Sequence, residues 1–139
     1  MRKIFRTLGE SELSRLLQLA GESYFESGFY RQAIQAFSQA LEIHPADEQV
    51  LFRKHLSEAL EQFYAFAPLQ ALKSIEKCLS PAARRVLPER QLQLMAMICQ
   101  RIQEEFPGRR KSDQHVDLLK KAKALQRQIE KLPRSYSGS

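Results

Sequence analysis

An all-α fold follows from three features of the sequence. All six prolines, Pro45, Pro68, Pro81, Pro88, Pro107 and Pro133, lie between stretches of helical periodicity, where a residue that lacks the backbone donor and clashes with the preceding turn does no harm. No segment sustains the apolar/polar alternation, rich in β-branched residues, that a strand requires. Between Ser14 and Asp47, small and bulky apolar residues recur at spacings that suit two helices pressed together.

The prolines divide the chain into six helical pieces, approximately 11–26, 30–44, 47–65, 68–79, 88–106 and 112–132. Short connections between them predict antiparallel neighbours. Ser11 is the expected cap of the first piece, and Pro68 and Pro88 suit the first turns of the fourth and fifth. Gly28 supplies a residue able to end a helix in the left-handed conformation. Phe106-Pro107-Gly108 stops the fifth piece, and Ser112 or Asp113 restarts the sixth. His44, beside Pro45, ends a helix where a partial positive charge suits the dipole. The expected organisation is a basic N-terminal segment, 1–10, one helical domain, 11–132, and a flexible tail, 133–139.

At 139 residues the chain fits one domain, large enough to bury a core without staples. A composition of 43% hydrophobic and 27% charged residues excludes wholesale disorder. The longest apolar run, Leu94 to Cys99, falls far short of the roughly 18 residues of a membrane span, and Met1 to Phe5 leads into no secretory core. These features predict a soluble protein with no membrane span, intracellular and either cytoplasmic or nuclear. Cys78 and Cys99 stand isolated in helical apolar patterns, and buried thiols are the favoured reading over a disulfide or a ligand pair.

From Ser14 to Asp47 the sequence presents Leu17, Ala20, Gly21 and Tyr24, then Ala33 and Phe37, then Pro45. This resembles the tetratricopeptide repeat, a helix–turn–helix of about 34 residues patterned W-x2-L-G-x2-Y, A-x3-F and P. Gly28, Tyr30, Ile34, Ala40 and Leu41 also agree, and Leu17 and Ala20 depart from the most frequent residue. The physical reading is that Gly21 and Ala33 let two helices cross closely while Tyr24, Phe37 and Leu41 fill the space beside them. A degenerate second unit, 48–81, follows. Ala71, Leu72, Ile75, Cys78 and Leu79 repeat the spacing of Ala33, Ile34, Phe37, Ala40 and Leu41, with about four residues inserted relative to a 34-residue period. Its first helix would turn Leu56, Ala59, Leu60 and Phe63 inward. The pair 88–132 matches by helix length alone. The resemblance therefore implies a stack of two to three antiparallel hairpins with a C-terminal capping helix.

It also implies a groove lined by the first helices of successive units, holding an extended or helical segment of another protein. On the first unit the groove residues would be Arg15, Gln18, Glu22, Phe25 and Glu26; on the second, Lys54, Ser57, Glu61 and Tyr64. Each of these positions also fits a solvated helix face. Family members that grip the C-terminal carboxylates of heat-shock chaperones carry a Lys or Arg three residues before the first-helix glycine and an Asn after it. Gln18 and Glu22 stand there instead, and a carboxylate repels a carboxylate, so that ligand is excluded from this unit.

Two segments leave further readings open. The fifth piece, with Leu92, Leu94, Met95, Ala96, Met97, Ile98, Cys99, Ile102 and Phe106, is apolar on more than one face, which predicts either burial between helices or a partner surface. Residues 1–106 carry 13 Lys+Arg and 13 Asp+Glu, whereas 107–139 carry 9 against 3, so the whole net charge of +6 belongs to the last segment. There Lys120, Lys123, Arg127 and Lys131 form one stripe beside Val116, Leu119, Ala122, Leu125, Ile129 and Leu132, with Arg109, Arg110 and Lys111 clustered ahead of it. A solvated capping helix, a patch for an acidic protein or nucleic acid, and a membrane-surface or calmodulin-type helix all fit.

His44, His55 and His115 lie apart, and the five glycines form no phosphate-cradling loop. No catalytic constellation, metal or cofactor is expected. The functional expectation is an adaptor or assembly factor, with a nucleic-acid-associated factor and a dedicated chaperone of a secreted or assembling subunit as alternatives. The oligomeric state is not written in the sequence.

Overall fold

A computed structural model describes residues 9–82, 87–105 and 113–135. Six helices dominate them: α1 (Glu10–Glu26), α2 (Tyr30–Ile43), α3 (Glu48–Tyr64), α4 (Pro68–Ala82), α5 (Glu89–Glu105) and α6 (Asp113–Lys131). The fold is all-α. The bounds agree with the periodicity to within a turn because prolines and caps, not packing, set most of them. Asp47 caps α3, its Oδ1 accepting from the backbone N–H of Gln49 at 3.1 Å and Val50 at 3.2 Å, worth about 1 kcal/mol. The expected cap at Ser11 is corrected. Gly9, at φ +77°, precedes α1 without a side-chain cap bond, and Glu10 and Glu12 in the first turn complement the helix dipole instead.

Each helix packs on the next from α1 to α4, α5 pairs with α6, and α6 also lies against α4. The first two pairs are offset from one another by 38 residues, from Glu10 to Glu48 and from Tyr30 to Pro68. Relative to a 34-residue period the extra four residues amount to about one helical turn, which leaves the inward face in phase. The turns also correspond. Gly28, at φ +83°, follows α1, with Phe29 N donating to Tyr24 O at 2.9 Å; Phe66, at φ +60°, follows α3, with Ala67 N donating to Gln62 O at 2.9 Å. Both are the Schellman arrangement that closes a helix through a left-handed residue.

Phenylalanine is poorly suited to that conformation, which costs an L side chain roughly 1–2 kcal/mol, and Phe66 recovers nothing by packing, being 83% exposed. Phe66→Gly is therefore expected to raise the unfolding free energy by roughly 0.5–1 kcal/mol after the added entropy of a glycine in the unfolded chain. Chemical denaturation of the two proteins measures it, and a loss of stability would show that the ring is held.

The larger core cluster joins α3 to α6 through Leu56, Leu60, Leu72, Ile75, Leu92, Met95, Ile98, Ile102, Ala122 and Ile129. A smaller one, Ala33, Phe37, Ala40 and Val50, holds α2 between α1 and α3, with Leu17, Phe25 and Leu41 packed around it. Along α5, Leu92, Met95, Ile98, Cys99 and Ile102 are buried, whereas Leu94, Ala96 and Met97 are half-buried; Phe106 lies outside the described residues. Cys78 and Cys99 are free, buried thiols. Burial pushes both up, Cys99 to about 12, so neither forms a thiolate readily near neutral pH.

One feature of the backbone has no signature in the periodicity. Leu87–Pro88 (β1) pairs in parallel with Arg134–Ser135 (β2), and Leu87 N donates to Pro133 O at 3.3 Å. The segment 133–139, expected to be a free tail, thus begins with residues tied to the start of α5. Leu87 is buried, so the bridge rests on a core contact as well as on backbone pairing.

On α3, His55 Nδ1 lies 3.0 Å from Glu58 Oε1. That hydrogen bond is the main reason the Glu58 carboxyl is held below its ordinary 4.5, against the opposing effect of its partial burial. A carboxyl depressed in the folded state stabilises above its unfolded pKa, and the contribution is lost as pH falls through the folded value. Unfolding free energy should therefore decline as pH drops below about 4.5, and Glu58→Gln should flatten that decline. Identical acid limbs for the two proteins, measured by urea unfolding, would remove Glu58 from the account.

Candidate functional site

The odd-numbered helices α1, α3 and α5 border a pocket of about 460 Å³. From α1 come Leu19, Glu22, Ser23, Phe25 and Glu26; from α3, Arg53 and Leu56; from the start of α5 and the residue before it, Pro88, Arg90, Gln91 and Leu94; and Phe37 reaches in from α2. Apolar atoms, including the stems of the charged residues, make up most of the lining surface. The charges come in complementary pairs: Arg53 with Glu22, and Arg90 Nη2 with Glu26 Oε2 at 2.5 Å. Two carboxylates and two guanidiniums thus leave the pocket electrically balanced. These pairs are partly exposed, so they orient side chains more than they stabilise the fold.

The floor depends on Gly21. A Cβ built there would lie 2.6 Å from Cε1 of Phe37, so the missing side chain makes the space in which the Phe37 ring sits. Gly21 and Ala33 are both buried, as the spacing of the first unit implied. Tyr24 is the correction within that unit: expected as interior filler, it is 42% exposed, because the ring of Phe37 already occupies the space over Gly21.

Of the expected groove residues, Glu22, Phe25 and Glu26 line the pocket. Arg15 is exposed, and Gln18 is half-buried with Nε2 donating to Ser14 Oγ at 3.2 Å. Neither lines the pocket. The expectation for α3 is corrected by one residue. Ser57 is fully buried, its hydroxyl donating to Arg53 O at 2.8 Å, so it presents nothing to a partner. Lys54 lies off the pocket, and the residues that line it are Arg53 and Leu56. One residue on a helix is a rotation of about 100°, and the offset of 38 residues, in place of the 39 that relates Arg15 to Lys54, restores Arg53 as the counterpart of Arg15.

Glu61 and Tyr64 lie beyond the pocket toward the turns. Glu61 Oε1 pairs with Arg31 Nε at 3.4 Å. Tyr64 stacks on Tyr30, centroids 6.0 Å apart and planes at 3°, and Tyr30 meets Phe25 edge to face at 5.6 Å. Burial, then the neighbouring Tyr64 and Glu26, raises the Tyr30 phenol above its ordinary 10.0. This ring series fixes Phe25 at the pocket wall.

On α6 the basic stripe is exposed at Lys120, Lys123, Arg127 and Lys131. Lys121, one position along, turns inward and pairs with Glu76 of α4 at 2.5 Å. Arg109, Arg110 and Lys111 lie outside the described residues, as does the side chain of His115. Among the described residues no group of three or more His, Cys, Asp or Glu could hold a metal ion, and no helix is long and apolar enough to cross a membrane. Comparison with protein-family models, with curated proteins and with solved structures finds no match to the chain.

Proposed function

We propose that the chain is a tetratricopeptide-repeat-like adaptor, which takes a short segment of another protein into the pocket between α1, α3 and α5. The observation that carries this reading is the lining: an apolar floor of Phe37, Leu56 and Leu94 beneath a rim on which each carboxylate already has a guanidinium. Such a site favours an apolar anchor with a neutral backbone around it, because a lone charge entering it would have to displace a formed pair. Affinity would come from one or two buried anchor side chains, and the rigid hairpins keep the site formed before the partner arrives.

Selection of a displayed random-peptide library on the full chain tests the reading. Enriched peptides should share a Leu, Met or Phe anchor and lose at least ten-fold in affinity against Leu19→Glu and Leu94→Glu, which place charge in the pocket at positions that are not fully buried. Leu69→Glu, at an exposed leucine on α4, should leave binding unchanged. Peptides indifferent to both pocket variants would refute the pocket as the binding site.

A further inference from the structure

The outward face of α6 presents a chemistry that the pocket does not use. Lys120, Lys123, Arg127 and Lys131 recur at intervals of 3, 4 and 4, so they stand in one row about 16 Å long. The row lies opposite the buried stripe of Leu118, Ala122, Leu125 and Ile129. All four are exposed, and none forms an ion pair among the described residues. Among the helix's described side chains, the exposed acids Asp117 and Glu130 fall to either side of the row. From this row we infer that α6 is a docking face for the phosphate backbone of double-stranded nucleic acid.

The alternatives each require something this face lacks. Protein interfaces are anchored by aromatic, aliphatic or Arg side chains and are depleted in Lys, whereas this row holds three Lys. The exposed large hydrophobics among the described residues, Leu16, Leu19, Tyr24, Phe29, Tyr64, Phe66 and Leu69, all lie on α1, α3, α4 or their turns. Single-stranded nucleic acid binds by stacking on successive aromatic rings, and α6 has no Phe, Tyr or Trp, its one His standing at the N-terminal end before the row begins. A membrane-surface helix buries its apolar face in lipid, but here that face is already buried in the core. A duplex backbone needs only cations in a row: it offers about one negative charge per 1.7 Å of axis and releases counterions on contact. The face is separate from the pocket and is independent of what the pocket holds.

Fluorescence anisotropy of the full chain with a labelled 20-base-pair DNA duplex of arbitrary sequence tests this. Four phosphate contacts predict a log–log salt slope of which about 3 to 4 belongs to the row, an affinity loss of about 100-fold between 50 and 200 mM salt. Lys123→Gln should lower the slope by about one. The quadruple Lys120→Gln, Lys123→Gln, Arg127→Gln and Lys131→Gln variant should remove the whole contribution while its circular dichroism stays helical. A control variant, Arg15→Gln with Lys73→Gln, should bind as the parent does. Absence of duplex binding at 50 mM salt, an unchanged slope in the quadruple variant, or an equal loss in the control would overturn the proposal. So would row-dependent capture of phosphatidylserine vesicles or a poly-glutamate peptide without capture of the duplex.

Discussion

Phe37→Ala is expected to lower the unfolding free energy by about 3–5 kcal/mol, the range for emptying the space of a buried phenylalanine. Phe37 is 1% exposed and central to the smaller cluster with Ala33, Ala40 and Val50. Because that cluster is distinct from the one joining α3 to α6, the loss should be felt unevenly: amide hydrogen exchange should accelerate across α1 and α2 while α4, α5 and α6 keep their protection. The contact with Gly21 adds a test by sign. In the parent, Gly21→Ala forces the buried ring aside and should cost about 1 kcal/mol net, overpacking outweighing the helix propensity gained. In a Phe37→Leu background the obstruction is gone, and the same substitution should become neutral or stabilising by up to about 1 kcal/mol. Equal effects in both backgrounds, from a double-mutant cycle of denaturation curves, would mean that the ring and the glycine do not interact.

The first helix pair, α1 and α2, is the most legible part of the chain for a physical reason. Close crossing of two helices demands small residues, and Gly21 and Ala33 record that demand, while Gly28 records a left-handed turn and Pro45 the end of α2. The second helix pair, α3 and α4, makes the same left-handed turn with less distinctive residues. Phe66 occupies the left-handed turn that Gly28 occupies in the first, so no glycine marks where α3 ends, and the spacing alone points one residue beyond its pocket face. The correct offset was visible downstream, where Ala71 follows Ala33 by 38 residues, but a turn seldom made by phenylalanine concealed that α3 shares it.

Long-range features were the least legible. The pairs Glu22 with Arg53 and Glu26 with Arg90 join residues 31 and 64 apart, and nothing local to either sequence reports the other. The contribution of α5 to the pocket was hidden likewise. Its apolar pattern announced burial, and five of its residues are indeed buried, but which half-buried residue faces α1 depends on how the third pair packs, with α6 against α4. The basic stripe needed only helical periodicity, and its four residues are accordingly exposed where the spacing placed them.

The one-residue rotation of α3 yields the second large effect. Leu56 is 1% exposed beneath the pocket, so Leu56→Ala should destabilise by about 2–5 kcal/mol and deepen the floor. Ser57→Ala removes a hydroxyl that bonds back to the carbonyl of Arg53 in its own helix, an interaction of little net value, and should change stability by less than about 0.5 kcal/mol. Lys54→Ala, off the pocket, should be equally mild. If α3 were rotated to present Lys54 and Ser57 to the pocket instead, Leu56 would move away from its floor, and truncating Leu56 would leave peptide binding untouched while Lys54→Ala altered it. The three variants, compared by urea denaturation and by the affinity of one selected peptide, separate the two rotations. Only the observed one makes Leu56 the residue whose loss weakens both folding and binding.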